Sequence, residues 1–188
     1  MLQSEAFTIL KTGVNVFLTG EPGSGKSYTI NEYVRYLRAH DIEPAITAST
    51  GIAATHIGGM TLHSWSGIGI HTNLNHQDIK RIATTRHIET RIKHAKVLII
   101  DEVSMLPPST LNLVEAVCRE AKQRVEPFGG LQVVFVGDFF QLPPIVRRKT
   151  EEEHEQIVLL DEPEAKFAYD ASAWLKAAPT VCYLTEQY

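Results

Sequence analysis

The stretch "VNVFLTGEPGSGKS", residues 14–27, decides the fold because it joins a buried strand to a glycine-rich loop. Its first half, Val14 to Gly20, is a short apolar run that ends in glycine, which is typical of a buried strand. Its second half, Gly20 to Ser27, matches GxxxxGK[ST] in full, and helical spacing follows. A strand, such a loop and a helix in this order predict a P-loop domain.

The loop provides a site for the phosphates of a nucleotide. Glycine tolerates the dihedrals that turn backbone N–H groups toward one phosphate, and the next helix adds the positive end of its dipole. We expect Lys26 to reach the β- and γ-phosphates of ATP and Ser27 to bind Mg²⁺. The nucleotide-binding residues expected in this loop are Gly20, Pro22, Gly23, Ser24, Gly25, Lys26, Ser27 and Tyr28.

Strands and helices alternate along the rest of the chain. Apolar runs predict further strands at residues 44–50, 96–102, 129–138 and 181–186, and helical spacing predicts helices at residues 3–11, 27–40 and 108–124. This alternation predicts an α/β fold of the RecA-like P-loop NTPase class, with a doubly wound, mostly parallel sheet and helices on both faces. Such sheets bind ligands beyond the carboxyl ends of their strands.

Two acids end the apolar run at residues 96–102. Asp101 is expected to hold Mg²⁺ through water, and Glu102 is expected to polarise a water molecule as a general base. An acidic pair favours ATP hydrolysis over nucleotide storage, since storage needs no base. The alternative is a structural cap of the strand end.

The stretch "VGDFFQLPP", residues 136–144, follows another predicted strand. Gln141 is expected to donate to a γ-phosphate oxygen or to position the attacking water. Asp138 is expected to support Mg²⁺, its waters or the loop itself. The alternative is a polar turn, while the two prolines would stiffen the chain beyond the sensor.

Composition places the chain among globular proteins. It has 188 residues, 44% hydrophobic and 21% charged, so one domain over residues 1–188 is expected. Two distant cysteines argue against a disulfide scaffold or a cysteine metal site. Without a signal peptide or an 18-residue apolar run, we expect an intracellular protein of the cytoplasm or nucleoid, or of the nucleus or mitochondrion in a eukaryote, and no membrane partner.

The net charge of −4 is unevenly distributed. Between His76 and Lys96 there are six lysines and arginines and only two acids. This segment is interpreted either as a solvated helical face or as part of an electrostatic track for a phosphate backbone.

The stretch "TASTGIAATHIGGMTLHSW", residues 47–65, is rich in small residues and hydroxyls. Amides and hydroxyls contact a nucleic-acid backbone without reading sequence, and an aromatic ring offers a stacking surface for a base. The alternative is a tight helix–sheet seam in which Trp65 belongs to the core.

Taken together, the motifs resemble the Pif (petite integration frequency) family of DNA helicases, of superfamily one, type B, which move 5′ to 3′. "NVFLTGEPGSGKS" resembles motif I of the family, "TASTGIAATHIGGMTLHSW" motif Ia, "LIIDEVSML" motif II and "FGGLQVVFVGDFFQLPP" motif III. The segment between motifs II and III is similar in length and character to one that sets this family apart, and "CYLTEQY" resembles the run into motif IV.

The resemblance implies roles for several residues. Gln3, twelve residues before Asn15, stands where the family places a glutamine that reads adenine. Lys26, Ser27, Asp101, Glu102 and Gln141 match its ATPase residues. The residues that match its contacts with single-stranded DNA are Thr50, Gly51, Thr61, His63 and Ser64.

The resemblance also implies a second RecA-like domain that supplies arginine fingers, and a small wedge inserted at about residues 145–167. The chain ends at Tyr188, before those arginines, so residues 1–188 are expected to be the first domain, 1A. We expect this domain alone to bind ATP and Mg²⁺, to hydrolyse ATP slowly and not to unwind DNA. Two other classes stay open: a nucleotide-dependent switch that binds a protein partner, and a nucleotide or small-molecule kinase, for which no arginine-rich lid is found.

Overall fold

Parallel strands form the centre of the molecule, which is described here by a computed structural model over residues 1–141 and 167–186. Six strands are present in these ranges: β1 Val16–Gly20, β2 Ala45–Ala48, β3 Met60–Thr61, β4 Val97–Asp101, β5 Gln132–Val136 and β6 Thr180–Leu184. They form one sheet in the order β3-β2-β4-β5-β1-β6, and every pairing is parallel. The predicted fold class is therefore confirmed, with an entirely parallel described sheet in place of a mostly parallel one.

Helices cover both faces of this sheet. In the described residues they are α1 Gln3–Leu10, α2 Lys26–Ala39, α3 Gly51–His56, α4 Leu62–Ser66, α5 His76–Ala83, α6 Arg86–His94, α7 Pro108–Lys122 and α8 Ser172–Ala177. Short 3-10 turns lie at Val103–Met105, Pro127–Gly130 and Ala168–Asp170. None of the helices in the described ranges is long and apolar enough to span a membrane.

Alternate strand residues face two separate cores. In β4, Val97 and Ile99 pack in the core beneath α1 and α2, whereas Leu98 and Ile100 pack in the core beneath α4 to α8. Because both faces of the strand are buried, its sequence is apolar without a break. This explains why the continuous run at residues 96–102 predicted a covered parallel strand.

The strand order places the ends of β1, β4 and β5 side by side. β5 pairs with β4 on one side and with β1 on the other. The segments that follow these strands carry the P-loop, the acidic pair and Asp138. Because the carboxyl ends of parallel strands lie at the same edge of a sheet, the three segments lie together at that edge.

Several elements were missed in the sequence. β3 contains only two residues, and α3 and α4 contain six and five, so none of them has enough length to show a period. The basic segment forms two helices, α5 and α6, joined at Thr84 and Thr85. The wedge predicted at about residues 145–167 lies, apart from Phe167, outside the described residues.

Candidate functional site: the carboxyl edge of the sheet

The P-loop turns tightly between β1 and α2. Gly20 has φ +148°, and a Cβ there would lie 2.6 Å from the carbonyl oxygen of Leu184. Gly25 precedes α2 with φ +84°, and a Cβ there would collide with the amide of Gln3. A side chain at Gly20 is excluded by the Leu184 backbone, and one at Gly25 would be strained by the positive φ and would displace the Gln3 amide, so both positions favour glycine.

Lys26 lies over the loop that precedes it. Its ammonium Nζ donates to the carbonyl oxygens of Gly20 at 2.7 Å and Glu21 at 3.1 Å. Burial raises the pKa values of Asp101 and Glu102, and the positive charge of Lys26 partly offsets this rise. Lys26 therefore links the loop electrostatically to the end of β4.

Gln3 reaches the P-loop from α1. Its Nε2 donates to the carbonyl oxygen of Ser24 at 3.3 Å. A neighbouring cavity of about 340 Å³ is lined by Leu2, Gln3, Ser4, Phe7, Tyr28, Thr29, Glu32 and Glu186. This volume falls in the range of small-molecule sites, and an amide, two aromatic rings and two carboxylates line it.

Ser24 differs from the other loop residues. Its side chain is buried, and its hydroxyl has no hydrogen-bond partner among the described residues. The Ser24 carbonyl instead accepts the bond from Gln3, and its N–H donates to Glu21 O at 3.1 Å. Ser24 thus contributes backbone geometry to the loop, while Pro22, Gly23, Ser27 and Tyr28 lie wholly or partly at the surface.

The acidic pair at the end of β4 is partly buried, and the backbone of Glu102 is strained. Burial raises the pKa of Asp101, although the Glu102 N–H that donates to its Oδ1 at 2.9 Å and the charge of Lys26 oppose this rise. Burial also raises the pKa of Glu102, and the charges of Asp101 and Asp138 add to it. Glu102 has left-handed backbone dihedrals, φ 52° and ψ 43°, which a non-glycine residue adopts only at a cost. A carboxylate with a raised pKa is a better base toward water than an ordinary one.

Asp138 organises the turn that carries Gln141. Its Oδ1 accepts from the N–H of Phe140 at 3.0 Å, and its Oδ2 accepts from Nε2 of Gln141 at 3.1 Å. Both carboxylate oxygens are therefore occupied by the loop, as in the third of the roles expected for Asp138. Its charge also raises the pKa of Glu102, so this turn faces the acidic pair.

The donor set at this edge suits Mg²⁺. Asp101 offers Oδ2, which makes no hydrogen bond to another described residue, and Ser27 offers a hydroxyl at the first turn of α2. Within the described ranges no group of three His, Cys, Asp or Glu residues is arranged to hold a metal ion. Mg²⁺ is commonly bound by one or two protein oxygens together with phosphates and water, so two ligands are sufficient.

A second set of polar residues lies at the ends of β2 and β3. Thr50 caps α3, and its Oγ1 accepts from the N–H of Ala53 at 3.2 Å. Thr61 caps α4, and its Oγ1 accepts from the N–H of Ser64 at 3.2 Å and donates to Ser64 Oγ at 3.0 Å. The structure therefore brings Thr50, Gly51, Thr61, His63 and Ser64 onto two short neighbouring helices joined through β3.

The two rings of this segment differ in exposure. Trp65 is only 3% exposed and packs in the core beneath α4 to α8, so the core interpretation is correct and the stacking one is wrong. His63 is half-buried, and this burial lowers its pKa. His63 is therefore mainly neutral at pH 7 and available as a hydrogen-bonding group.

Arg91 was missed in the sequence and links α6 to this second set. Its Nη1 donates to the carbonyl oxygens of Ser64 and Trp65, each at 3.0 Å. Twenty-seven and twenty-six positions separate the partners, so no local pattern signals the contact. The only indication in the sequence was the excess of basic residues between His76 and Lys96.

Comparison with known proteins agrees with this arrangement. A model of the PIF1-like helicase family matches residues 3–163. The chain is 50% identical over 188 residues to the ATP-dependent DNA helicase Pif1 of Psychrobacter sp. (strain PRwf-1), which covers 100% of this chain and 27% of that protein. The chain thus spans about a quarter of the length of this curated relative.

Solved structures give the same result. The crystal structure of Pif1 helicase from Candida albicans superposes with a TM-score of 0.84 and 35% identity, over 99% of this chain and 39% of that one. Pif1 helicase from Bacteroides in complex with ADP-AlF3 and ssDNA gives a TM-score of 0.76 and 28% identity, over 100% of this chain and 43% of that one. With the family model matching most of its length, the chain belongs to the PIF1-like helicase family.

Proposed function

We propose that this chain is the ATP-binding motor domain of a DNA helicase. In this proposal ATP hydrolysis drives movement along single-stranded DNA and the unwinding of duplex DNA, 5′ to 3′ as the family resemblance implies. One observation carries it: the P-loop, the acidic pair and the Gln141 turn share one sheet edge with the threonine-capped helices α3 and α4. The ADP-AlF3 and ssDNA complex of the Bacteroides relative supports it.

In the nucleotide half of the site, each residue has a separate role in ATP binding or hydrolysis. Gln3 pairs with the adenine edge, and the P-loop amides with Lys26 hold the β- and γ-phosphates. Glu102 accepts the proton of the attacking water, which its raised pKa favours. Gln141 donates to the γ-phosphate or positions the water, once its amide leaves Asp138.

Ser27 and Asp101 would hold Mg²⁺, Asp101 acting through a water molecule. When bound, the ion supplies positive charge that offsets the charge developing on the phosphates during transfer. The ion would also favour the ionised form of Asp101, whose pKa is otherwise raised by burial.

The other half holds the DNA strand. The hydroxyls of Thr50, Thr61 and Ser64 and the imidazole of His63 contact the sugar-phosphate backbone, and such contacts carry no base sequence. We propose that a second RecA-like domain closes over the same edge and supplies arginines to the γ-phosphate. Hydrolysis by residues 1–188 alone is then slow, because an arginine finger contributes about 10³–10⁵ in rate in related chemistry.

Fluorescence anisotropy of a labelled dT oligonucleotide tests the proposal. The chain is titrated at low salt with and without a non-hydrolysable ATP analogue. We expect binding that depends on the analogue, is lost in Lys26→Ala and is weakened in His63→Ala. His40→Ala serves as the matched control, since His40 lies between α2 and the amino end of β2, whereas α3 and α4 follow the carboxyl ends of β2 and β3.

Two results would contradict the proposal. If the analogue binds but DNA binds in no state, even when the second RecA-like domain is present, the nucleotide-dependent switch becomes the better interpretation. If the dT oligonucleotide binds equally well with and without the analogue, and Lys26→Ala changes nothing, the two halves of the edge are not coupled.

A further inference from the structure

A shallow basic depression lies on the outer face of α6. It has a volume of about 500 Å³ and is lined by Arg86, His87, Thr90 and Arg91. These positions, spaced i, i+1, i+4 and i+5, form one face of the helix, while Ile88 and Ile92 on the other face are buried in the core. The depression thus lies on a helix whose opposite face is anchored in the core.

The charge of this region is not neutralised within it. Between His76 and Lys96, Asp78 pairs with Arg81 at 2.9 Å and Glu89 pairs with Lys93 at 2.5 Å. Each of the two acids thereby takes up one of six basic residues, which leaves Lys80, Arg86, Arg91 and Lys96 without an acidic partner among the described residues. A local excess of positive charge remains on a chain whose net charge is −4.

The depression is continuous with the proposed DNA-binding half. Arg91 lines it and also donates to the carbonyl oxygens of Ser64 and Trp65 on α4. Gly67, which caps α4 with φ +79°, allows close approach, since a Cβ there would lie 3.0 Å from the side chain of Ile88. The two surfaces therefore lie on helices that are in direct contact.

Arg91 and Arg86 have different surroundings. Arg91 is partly buried and its guanidinium is engaged with α4, so a structural role accounts for it. Arg86 and His87 are exposed, and neither side chain makes a hydrogen bond or ion pair with another described residue. Nothing in the described fold requires a cation at position 86.

We propose that Arg86, His87 and Thr90 form a second contact site for the phosphodiester backbone of the DNA strand, extending the path that begins at α3 and α4. This inference rests on the proposed function and adds a segment to its track. Arginine binds phosphate through two parallel N–H donors, and the Thr90 hydroxyl and His87 imidazole add hydrogen bonds. Such a site reads no sequence and strengthens binding only when the strand is long enough to reach it.

Two dT oligonucleotides, of about six and about sixteen nucleotides, provide the test, because single-strand sites span roughly this range. Wild type, Arg86→Ala and Arg35→Ala are titrated with each over a series of salt concentrations. Arg35→Ala removes the same charge from an exposed position on α2, beyond the opposite face of the sheet.

The expected result separates the variants by length and by salt. Arg86→Ala should weaken binding of the longer DNA strand roughly three- to tenfold. It should also make the slope of log K for DNA binding against log salt less negative by about 0.7, the value for one single-strand phosphate contact. Binding of the shorter strand and of the ATP analogue should stay unchanged, and Arg35→Ala should match wild type. Arg86→Gln, which keeps a longer polar side chain, should reproduce the loss if Arg86→Ala fails to fold.

Each other outcome is decisive. If wild type binds the longer strand and Arg86→Ala binds it with the same affinity and slope, the contact site is wrong while the proposed function stands. If Arg86→Ala and Arg35→Ala weaken binding equally, the effect is one of net charge, and the contact site is again wrong. If wild type binds neither strand, even when the second RecA-like domain is present, the proposed function fails and the inference fails with it.

Discussion

The two halves of the carboxyl edge are built in different ways. At the ends of β1, β4 and β5, the proposed ligand contacts come from single short segments: the P-loop, the acidic pair and the Gln141 turn. At the ends of β2 and β3, they come from two short helices whose geometry depends on threonine caps and on Arg91 of α6. The nucleotide half is set mainly by contiguous segments, to which α1 adds Gln3, whereas the half that we propose binds DNA combines local threonine caps with a long-range contact from Arg91.

Because of this difference, substitutions in the two halves should have different kinds of effect. In the nucleotide half, a substitution should impair one step of ATP binding or hydrolysis and leave DNA binding by the strand half, the proposed DNA-binding half with α3 and α4, unchanged. In the strand half, a substitution should act through the position of α4, so its effects should spread over affinity and stability together. Substitutions at Glu102, Thr61 and Gln3 test this difference.

Glu102→Gln should give the largest effect and leave the strand half unchanged. Removing a general base typically costs about 10²–10⁴ in rate. We expect a loss of this size in single-turnover ATP hydrolysis, measured with protein in excess, with unchanged binding of the ATP analogue and of dT. Equal rates in Glu102→Gln and wild type would show that another group accepts the proton.

The pH dependence follows from the raised pKa of Glu102. The hydrolysis rate of wild type should fall in acid with an apparent pKa above 4.5, the ordinary value for a glutamate. Since the folded state holds this proton more tightly than the unfolded state, ionisation of Glu102 destabilises the fold. This cost is absent below pH 4.5 and complete above the raised pKa, so Glu102→Gln should have a higher Tm than wild type at pH 7 and lose that advantage in acid.

Thr61→Val should have an intermediate effect, confined to the strand half. It removes the cap of Ser64 N–H and the hydrogen bond to Ser64 Oγ, and losing such a cap costs about 0.5–2 kcal/mol. We expect the free energy of unfolding to fall by this amount and dT affinity to fall roughly fivefold to tenfold, about one displaced hydrogen bond. Thr12→Val, which removes a hydroxyl that bonds Ile9 O and no other described residue, is the control in urea titrations and anisotropy. Loss of stability with unchanged dT affinity would remove α4 from the DNA track.

Gln3→Ala should give the smallest effect. It removes the amide proposed to pair with adenine and the hydrogen bond to Ser24 O. We expect the preference for ATP over GTP to fall by about threefold, equivalent to one hydrogen bond at the weak end of its usual range, while triphosphate affinity in general falls little. Competition binding of ATP and GTP analogues measures this, with the exposed Gln77→Ala as control. If the preference for ATP over GTP does not change, other residues of the cavity beside α1 recognise adenine.

The parts predicted well were those with a period or a motif. The strands at residues 96–102 and 129–138 are continuous apolar runs because both of their faces are covered, and helix α7 spans 15 residues with a clear stripe. By contrast, β3 pairs through only two residues with β2, so only the assembled sheet defines it. The sequence did not decide whether Trp65 is exposed or buried, because a short helix contains too few residues to show a hydrophobic period.

The phosphate loop, the parallel sheet and the acidic pair at a strand end could all be inferred from the amino-acid sequence. Each of these depends on residues that are adjacent in the chain or repeat with a fixed period, so local physics is sufficient. The tertiary structure decided that both oxygens of Asp138 serve its own turn, that Trp65 is buried, and that Arg91 holds α4. These outcomes depend on which donors and acceptors the fold leaves without partners and on which surfaces it covers, and the order of residues in the chain does not specify either.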